Sequence, residues 1–236
     1  MVSNDWIALI ISFLLALVWL RLNDYAAHRG WIPSDLSRKI IHIGTGPIYV
    51  LTWLFFSDAL SARWIAAIIP LAITLQFLLV GTGVIKDQAA VKAMSRSGDP
   101  LEILRGPLFY GIVFVVLTVI FWSNSPIGLV ALMLLCGGDG LADVTGKRIK
   151  SHPLPWSKHK TWAGSAAMFA GGWLFSTGML AALVGFGTLP GPLGGYMPAV
   201  TLIALAGALV ESLPLADLDN ITVPAVAVVI GSMFWG

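Results

Sequence analysis

The sequence predicts an all-α integral membrane protein of about eight transmembrane helices, and three observations carry that prediction. Composition is the first: of 236 residues, 57% are hydrophobic and 11% charged, where a soluble domain carries about 25% charged residues. Mean hydropathy is +0.86. The second is length. Apolar runs near 5–22, 40–57, 62–81, 106–122, 125–142, 162–187, 196–213 and 221–235 match the about 17–25 residues a helix needs to cross a bilayer. The third is charge placement, since thirteen of the fourteen Lys and Arg fall in alternate loops and only Arg63 lies elsewhere. The positive-inside rule makes those loops cytoplasmic and both termini extracytoplasmic, and eight spans, being even in number, require the termini to share a side. Continuous apolar runs exclude a barrel of short alternating strands. The whole of 1–236 reads as one polytopic domain.

The same numbers bound the function. A net charge of +2 is too small to argue for nucleic acid. The single Cys136 excludes an intrachain disulfide and a Cys-based zinc site and reads as a small packing residue. The first apolar run lacks a basic n-region and a cleavage signal, so it is expected to be a retained span. No Ser/Arg-rich transit peptide precedes it, and a bacterial-style chain or a processed form is the expectation.

Span one holds Trp6 and Trp19 near its ends, where interfacial indoles anchor. The loop after it leads into Ser34-Asp-Leu-Ser-Arg-Lys-Ile-Ile-His-Ile-Gly-Thr-Gly46, with Ser34 suited to cap a helix and Asp35 to its first turn. Arg38 and His42 stand four apart, Lys39 and His42 three apart, so they share a helical face. Arg38 and Lys39 read as topogenic charge that snorkels to headgroups or as phosphate ligands; His42, ionisable at membrane depth, reads as functional. Spans two and three are chemically quiet. Between spans three and four, 87–94 reads as an interfacial helix. Glu102 and Arg105 follow at i,i+3, either as a salt bridge or as metal and phosphate contacts.

The most informative stretch ends span five: Cys136-Gly-Gly-Asp-Gly-Leu-Ala-Asp-Val-Thr-Gly-Lys-Arg148. Asp139 and Asp143 are i,i+4, so on a continuing helix both carboxylates face one way. Such a pair suits Mg²⁺, which takes one or two carboxylates plus substrate phosphates. Gly138 and Gly140 would let backbone amides approach phosphate oxygens. The spacing is not that of a Walker A loop. An extended loop with Pro153 and Pro155 leads to Lys158 and Lys160, able to neutralise a triphosphate, and Thr161 opens span six. Span seven contains Glu211. The acidic loop beyond it carries Asp219 and Asn220, which cap span eight or join the site, and its carboxylates need cations from other loops. Metal carboxylates and phosphate-binding cations on one membrane face point to Mg²⁺-assisted phosphoryl or nucleotidyl transfer onto a lipid acceptor in the bilayer.

Five motifs in order, Arg38-Lys-Ile-Ile-His-Ile-Gly44, Arg105-Gly-Pro-Leu-Phe-Tyr110, Cys136-Gly-Gly-Asp-Gly-Leu-Ala-Asp143, Lys160-Thr-Trp-Ala-Gly-Ser165 and Val210-Glu-Ser-Leu-Pro214 with Asp219, Asn220 and Pro224, resemble the polyprenol kinase family. The likeness is strongest over 37–236 and to the phytol/farnesol kinase branch of cyanobacteria and plastids. Relatives more often carry Glu where this chain has Ala163. The resemblance implies a phytol kinase that uses CTP or UTP, with Mg²⁺, to phosphorylate phytol salvaged toward tocopherol; farnesol, geranylgeraniol and dolichol-like alcohols are alternative acceptors. Joined to the residue reading, it has Asp139, Asp143, Glu102 and Asp219 hold metal. Arg38, Lys39, Arg105, Arg148, Lys158, Lys160 and Asn220 bind nucleotide, and Asp139, Glu211 or His42 takes the alcohol proton. A cytidylyltransferase resembling CDP-diacylglycerol synthase and, less well, a transporter are the rival classes.

Overall fold

Apolar runs long enough to bury their own backbone polar groups in membrane can do so only as helices, and helices make up most of the chain. The structure, a computed structural model, describes residues 4–95, 97–215 and 218–236. Arg96, counted above among the cytoplasmic charges, lies outside the described residues, as do the side chains of Ser34 and Asp35 on which the expected helix cap rests.

Helix α1 (Asp5–His28) is capped by Asn4, whose side chain accepts from the Trp6 amide at 2.9 Å. It packs against α2 (Ser34–Thr52) and α3 (Ala62–Gly81). The short interfacial helix α4 (Gln88–Met94) begins where the sequence places it, with Asp87 accepting from the Ala90 amide at 2.9 Å. A 3-10 turn, Pro100–Leu104, leads into α5 (Gly106–Ile120). Then come α6 (Pro126–Met133), a π turn (Leu134–Asp139) and α7 (Gly140–Arg148), which form one continuous rod. After the loop, α8 (Trp162–Gly185), α9 (Met197–Glu211) and α10 (Asp219–Trp235) complete the chain.

Six segments among the described residues are long and apolar enough to cross a membrane: Asp5–His28, Ala62–Gly81, Pro100–Ile120, Pro126–Arg148, Trp162–Gly185 and Leu193–Glu211. Eight were expected. The two that fall short are α10, apolar but shorter, and α2, which carries Arg38, Lys39 and His42 in its first half.

The rod from Pro126 is the axis of the fold. Every residue from Ile127 to Gly138 is buried, as a helix apolar on all sides must be. Helices α2, α5, α8 and α10 surround α6, while α2, α8, α9 and α10 close on the π turn. Close approach depends on glycine here. A Cβ on Gly171 of α8 would stand 2.6 Å from the Gly137 carbonyl oxygen, and one on Gly137 would run into the Phe175 ring. The wide π turn changes the register of the rod, and Asp139 is its last residue.

Where the sequence suggested an extended loop, the chain forms a hairpin, β1 (Pro153–Leu154) antiparallel to β2 (Ser157–Thr161). Thr161 then caps α8 as expected, its Oγ1 accepting from the Gly164 amide at 3.1 Å. The hairpin is tied down by Trp156, whose indole Nε1 donates to the Ser212 carbonyl oxygen and approaches the Ser212 hydroxyl, each at 3.2 Å.

Candidate active site

Four elements begin or end together at one face of the bundle, and a fifth, α2, passes beside them. Asp139 closes the π turn, Glu211 is the last residue of α9 and Asp219 the first of α10. Their carboxylates each offer an oxygen, and these oxygens lie within 4.8 Å of one another. Lys160, at the end of β2, reaches into the group. Its ammonium pairs closely with Glu211 Oε1 and stands 3.3 Å from Asp219 Oδ2. Burial alone would lower the Lys160 pKa, but Glu211 and then Asp219 outweigh it and hold the pKa above the ordinary lysine value. At neutral pH it is an ammonium.

From α2 comes His42. Its Nε2 stands 3.6 Å from Asp139 Oδ2, too long for a hydrogen bond. That nitrogen is buried with no hydrogen-bond partner, and so is Glu211 Oε2. Tyr110 of α5 lies against the imidazole at a ring separation of 4.5 Å and donates to the His42 carbonyl oxygen at 3.3 Å. Its hydroxyl also meets Cys136 Sγ at 3.2 Å, which gives the buried cysteine its packing partner. Tyr110 belongs to a quoted motif, yet nothing in its spacing announces that it seats the histidine.

Charge balance separates two neighbouring regions. With all three carboxylates ionised against the Lys160 ammonium, two negative charges remain, and a divalent cation would balance them. The orphaned Glu211 oxygen and the all-oxygen donor set fit Mg²⁺, a hard cation that binds carboxylates. One turn further along the rod, Asp143 pairs with Lys39 at 3.0 Å and with Lys147 at 2.7 Å, which leaves a positive charge. Among the described residues the carboxylate group thus joins Asp139 to Glu211 and Asp219, and the expected metal pair of Asp139 and Asp143 is not brought into one cluster. A rise of about 6 Å over four helical residues puts them at different depths. The deeper acid meets α9 and α10; the shallower one meets the lysines of α2 and α7.

Glu102, the further expected metal ligand, sits outside the three-carboxylate group. It accepts from Ser95 Oγ at 2.9 Å and the Ser97 amide at 3.2 Å, closing the loop after α4. Arg38 ties the same loop to α2, its guanidinium donating to the Ser95 carbonyl oxygen at 3.1 Å. Arg105 is exposed at the start of α5, and a Cβ on neighbouring Gly106 would lie 3.5 Å from the Asn220 amide nitrogen. Arg148 and Lys158 are exposed on the α7 end and the hairpin.

Gly138 and Gly140 lie inside the rod, where the expected phosphate cradle has no room. A Cβ on Gly138 would meet Met168 Sδ at 2.8 Å, and one on Gly140 would collide with Ile43 and lie 3.5 Å from His42 Cδ2. These glycines bring α8 and α2 to the acids.

The chain is 38% identical over 218 residues, covering 92% of it and 73% of the relative, to a probable chloroplastic phytol kinase of Triticum aestivum. It is 36% identical over 210 residues to chloroplastic phytol kinase 1 of Arabidopsis thaliana, covering 88% of this chain and 69% of that one. To the chloroplastic farnesol kinase of Arabidopsis thaliana it is 34% identical over 236 residues, 99% of this chain and 76% of the other. No family model and no solved structure matches. These relatives are plastid proteins of plants, and they lend no support to the bacterial source expected from the N-terminal sequence. With identity of this level over 88–99% of its length, the chain belongs to the phytol and farnesol kinase branch of the polyprenol kinase family.

Proposed function

We propose that this protein is a phytol kinase, transferring the γ-phosphate of CTP or UTP to the hydroxyl of phytol or a related prenyl alcohol in a Mg²⁺-dependent reaction. The observation that carries this reading is the convergence of Asp139, Glu211 and Asp219 within 4.8 Å, next to a lysine-rich region and in a body of apolar helices. The names of the relatives support the acceptor class.

Asp139, Glu211 and Asp219 would hold the Mg²⁺, which when bound neutralises charge on the phosphate oxygens. Lys39 and Lys147, held by Asp143, face the phosphates, with Arg148 and Lys158 at the outer rim. Lys160 keeps the carboxylates together and donates to the γ-phosphate oxygens. The alcohol oxygen attacks the γ-phosphorus, a new P–O bond forms, and the bond to the β,γ-bridging oxygen breaks, so the nucleoside diphosphate leaves. The alcohol proton passes to His42 Nε2, among the described residues the one basic nitrogen that is buried beside the acids and has no hydrogen-bond partner. Catalysis of this type is mainly positioning and charge stabilisation, and groups fixed at helix ends supply both.

The topology belongs to the same proposal. With α2 and α10 counted as crossings the chain spans the bilayer eight times, which leaves both termini extracytoplasmic and the acids on the cytoplasmic face. A soluble nucleotide reaches that face directly while the alcohol arrives through the bilayer. The product would feed phytol salvage toward tocopherol.

Purified protein in detergent, given phytol and either γ-labelled or α-labelled CTP, tests the reading. Label in the lipid product from the γ position alone is expected. Label from the α position would make the protein a cytidylyltransferase, and label from neither would refute transfer to this acceptor.

A further inference from the structure

Helix α2 has two working faces. Lys39 and His42 turn toward the acids. Ile40, Ile43, Gly44, Pro47 and Ile48, spaced as one helical stripe, line an open groove of about 370 Å³ flanked by Trp19 of α1 and Phe175 of α8. Its wall is apolar from end to end. The stripe runs for about 12 Å at the helical rise per residue, from the level of the acids toward the C-terminal half of α2.

We propose that this groove holds the isoprenoid units of the acceptor next to the hydroxyl, and that Gly44 with Trp19 sets which chains fit. The proposal rests on the prenyl alcohol reading above. Continuity with the candidate site identifies the occupant. Ile43 lines the groove and at the same time presses on Gly140, the residue after Asp139; the ring of His42 lies at that same glycine. Phe175, the opposite wall, packs on Gly137 in the turn that carries Asp139. A hydrocarbon lying along the stripe thus brings its polar end to the carboxylates, whereas a bilayer lipid would have to place its phosphate there. The narrow point is Gly44. A Cβ added there would run into the Trp19 indole, whose Nε1 is turned toward the Ile41 carbonyl oxygen at 3.5 Å and so keeps the ring across the groove.

Two variants with opposite effects test this in the full-length protein. Gly44→Ala narrows the groove and is expected to lower kcat/KM for phytol by about tenfold, the discrimination one methylene supplies in an apolar pocket, with little change for a five-carbon prenyl alcohol and none in the nucleotide KM. Ile48→Ala widens the far end and is expected to shift preference toward bulkier chains, again without moving the nucleotide KM. A diazirine placed on the third isoprene unit of phytol should label the peptides bearing residues 40–48 or 175, and unlabelled phytol should compete where phosphatidylcholine does not. Equal loss for every alcohol in both variants, or labelling that maps to other helices, would overturn the groove. Labelling in the groove by a protein that phosphorylates no alcohol would leave the groove standing and overturn the kinase reading.

Discussion

Lys160 and Glu211 form the bond that joins the hairpin to the helical bundle: the ammonium at the end of β2 pairs with a carboxylate at the end of α9 that is 4% exposed. One residue beyond Glu211, Ser212 receives the Trp156 indole from the hairpin turn. The hairpin is thus fastened at two points, and one of them lies inside the candidate active site.

Lys160→Met should lower activity and, in metal-free protein, stability as well, because Glu211 would be left buried without its ammonium partner. Breaking a buried pair costs about 3–5 kcal/mol; Lys160 is itself 26% exposed, so a loss near about 3 kcal/mol is expected. Thermal unfolding in detergent would register it. Lys160→Met combined with Glu211→Gln should recover much of the lost stability and none of the activity. An unchanged Tm in the single variant would show that the pair is solvated.

The two aspartates of the central motif should separate in function. Asp139→Asn, Glu211→Gln and Asp219→Asn are each expected to cut kcat by about 10²–10³-fold, the usual effect of removing one charge-stabilising group. Asp143→Asn should instead raise the nucleotide KM, by about tenfold for loss of the restraint on Lys39 and Lys147. Steady-state kinetics in CTP distinguishes the two patterns. Equal losses at Asp139 and Asp143 would restore the pairing that helical spacing alone suggests.

Metal removal gives an independent readout. Chelation should stop turnover and Mg²⁺ restore it. Mn²⁺ added in its place should give an electron-spin resonance signal from bound metal that Glu211→Gln weakens and Asp143→Asn leaves intact. Retention of the signal in Glu211→Gln would remove this carboxylate from the metal set.

Trp156→Phe keeps the ring and deletes the donor to Ser212. One hydrogen bond of this kind is worth about 1 kcal/mol, so kcat/KM for nucleotide should fall by about fivefold, with faster proteolytic cleavage between residues 149 and 161. Identical cleavage rates in the two proteins would show that the indole is not what holds the hairpin.

Much of this architecture is written locally and could be read without coordinates. Apolar run length and the alternation of basic loops decide that the chain is a bundle of membrane helices. Asp87 and Thr161 mark helix starts because capping is a contact between near neighbours in sequence. The motifs around His42, Asp139, Lys160 and Glu211 name the chemistry by residue type. Helical spacing also placed Lys39 and His42 on one face, and they turn toward the two acids of the rod, Lys39 to Asp143 and His42 to Asp139.

Partner choice was out of reach, since it depends on which ends of distant helices meet. Asp139 and Asp143 look equivalent at i,i+4, but one helical turn of depth hands the first to Glu211 and Asp219, 72 and 80 residues later in the chain, and the second to two lysines. The glycines beside them permit a bent loop or a close helix contact equally well; only the approach of Phe175, Met168 and Ile43 decides for contact. The sequence by itself determined a set of acids, lysines and a histidine among apolar helices. The tertiary structure alone decided which three acids share a site, because long-range packing, which has no local signature, sets the distances between charges.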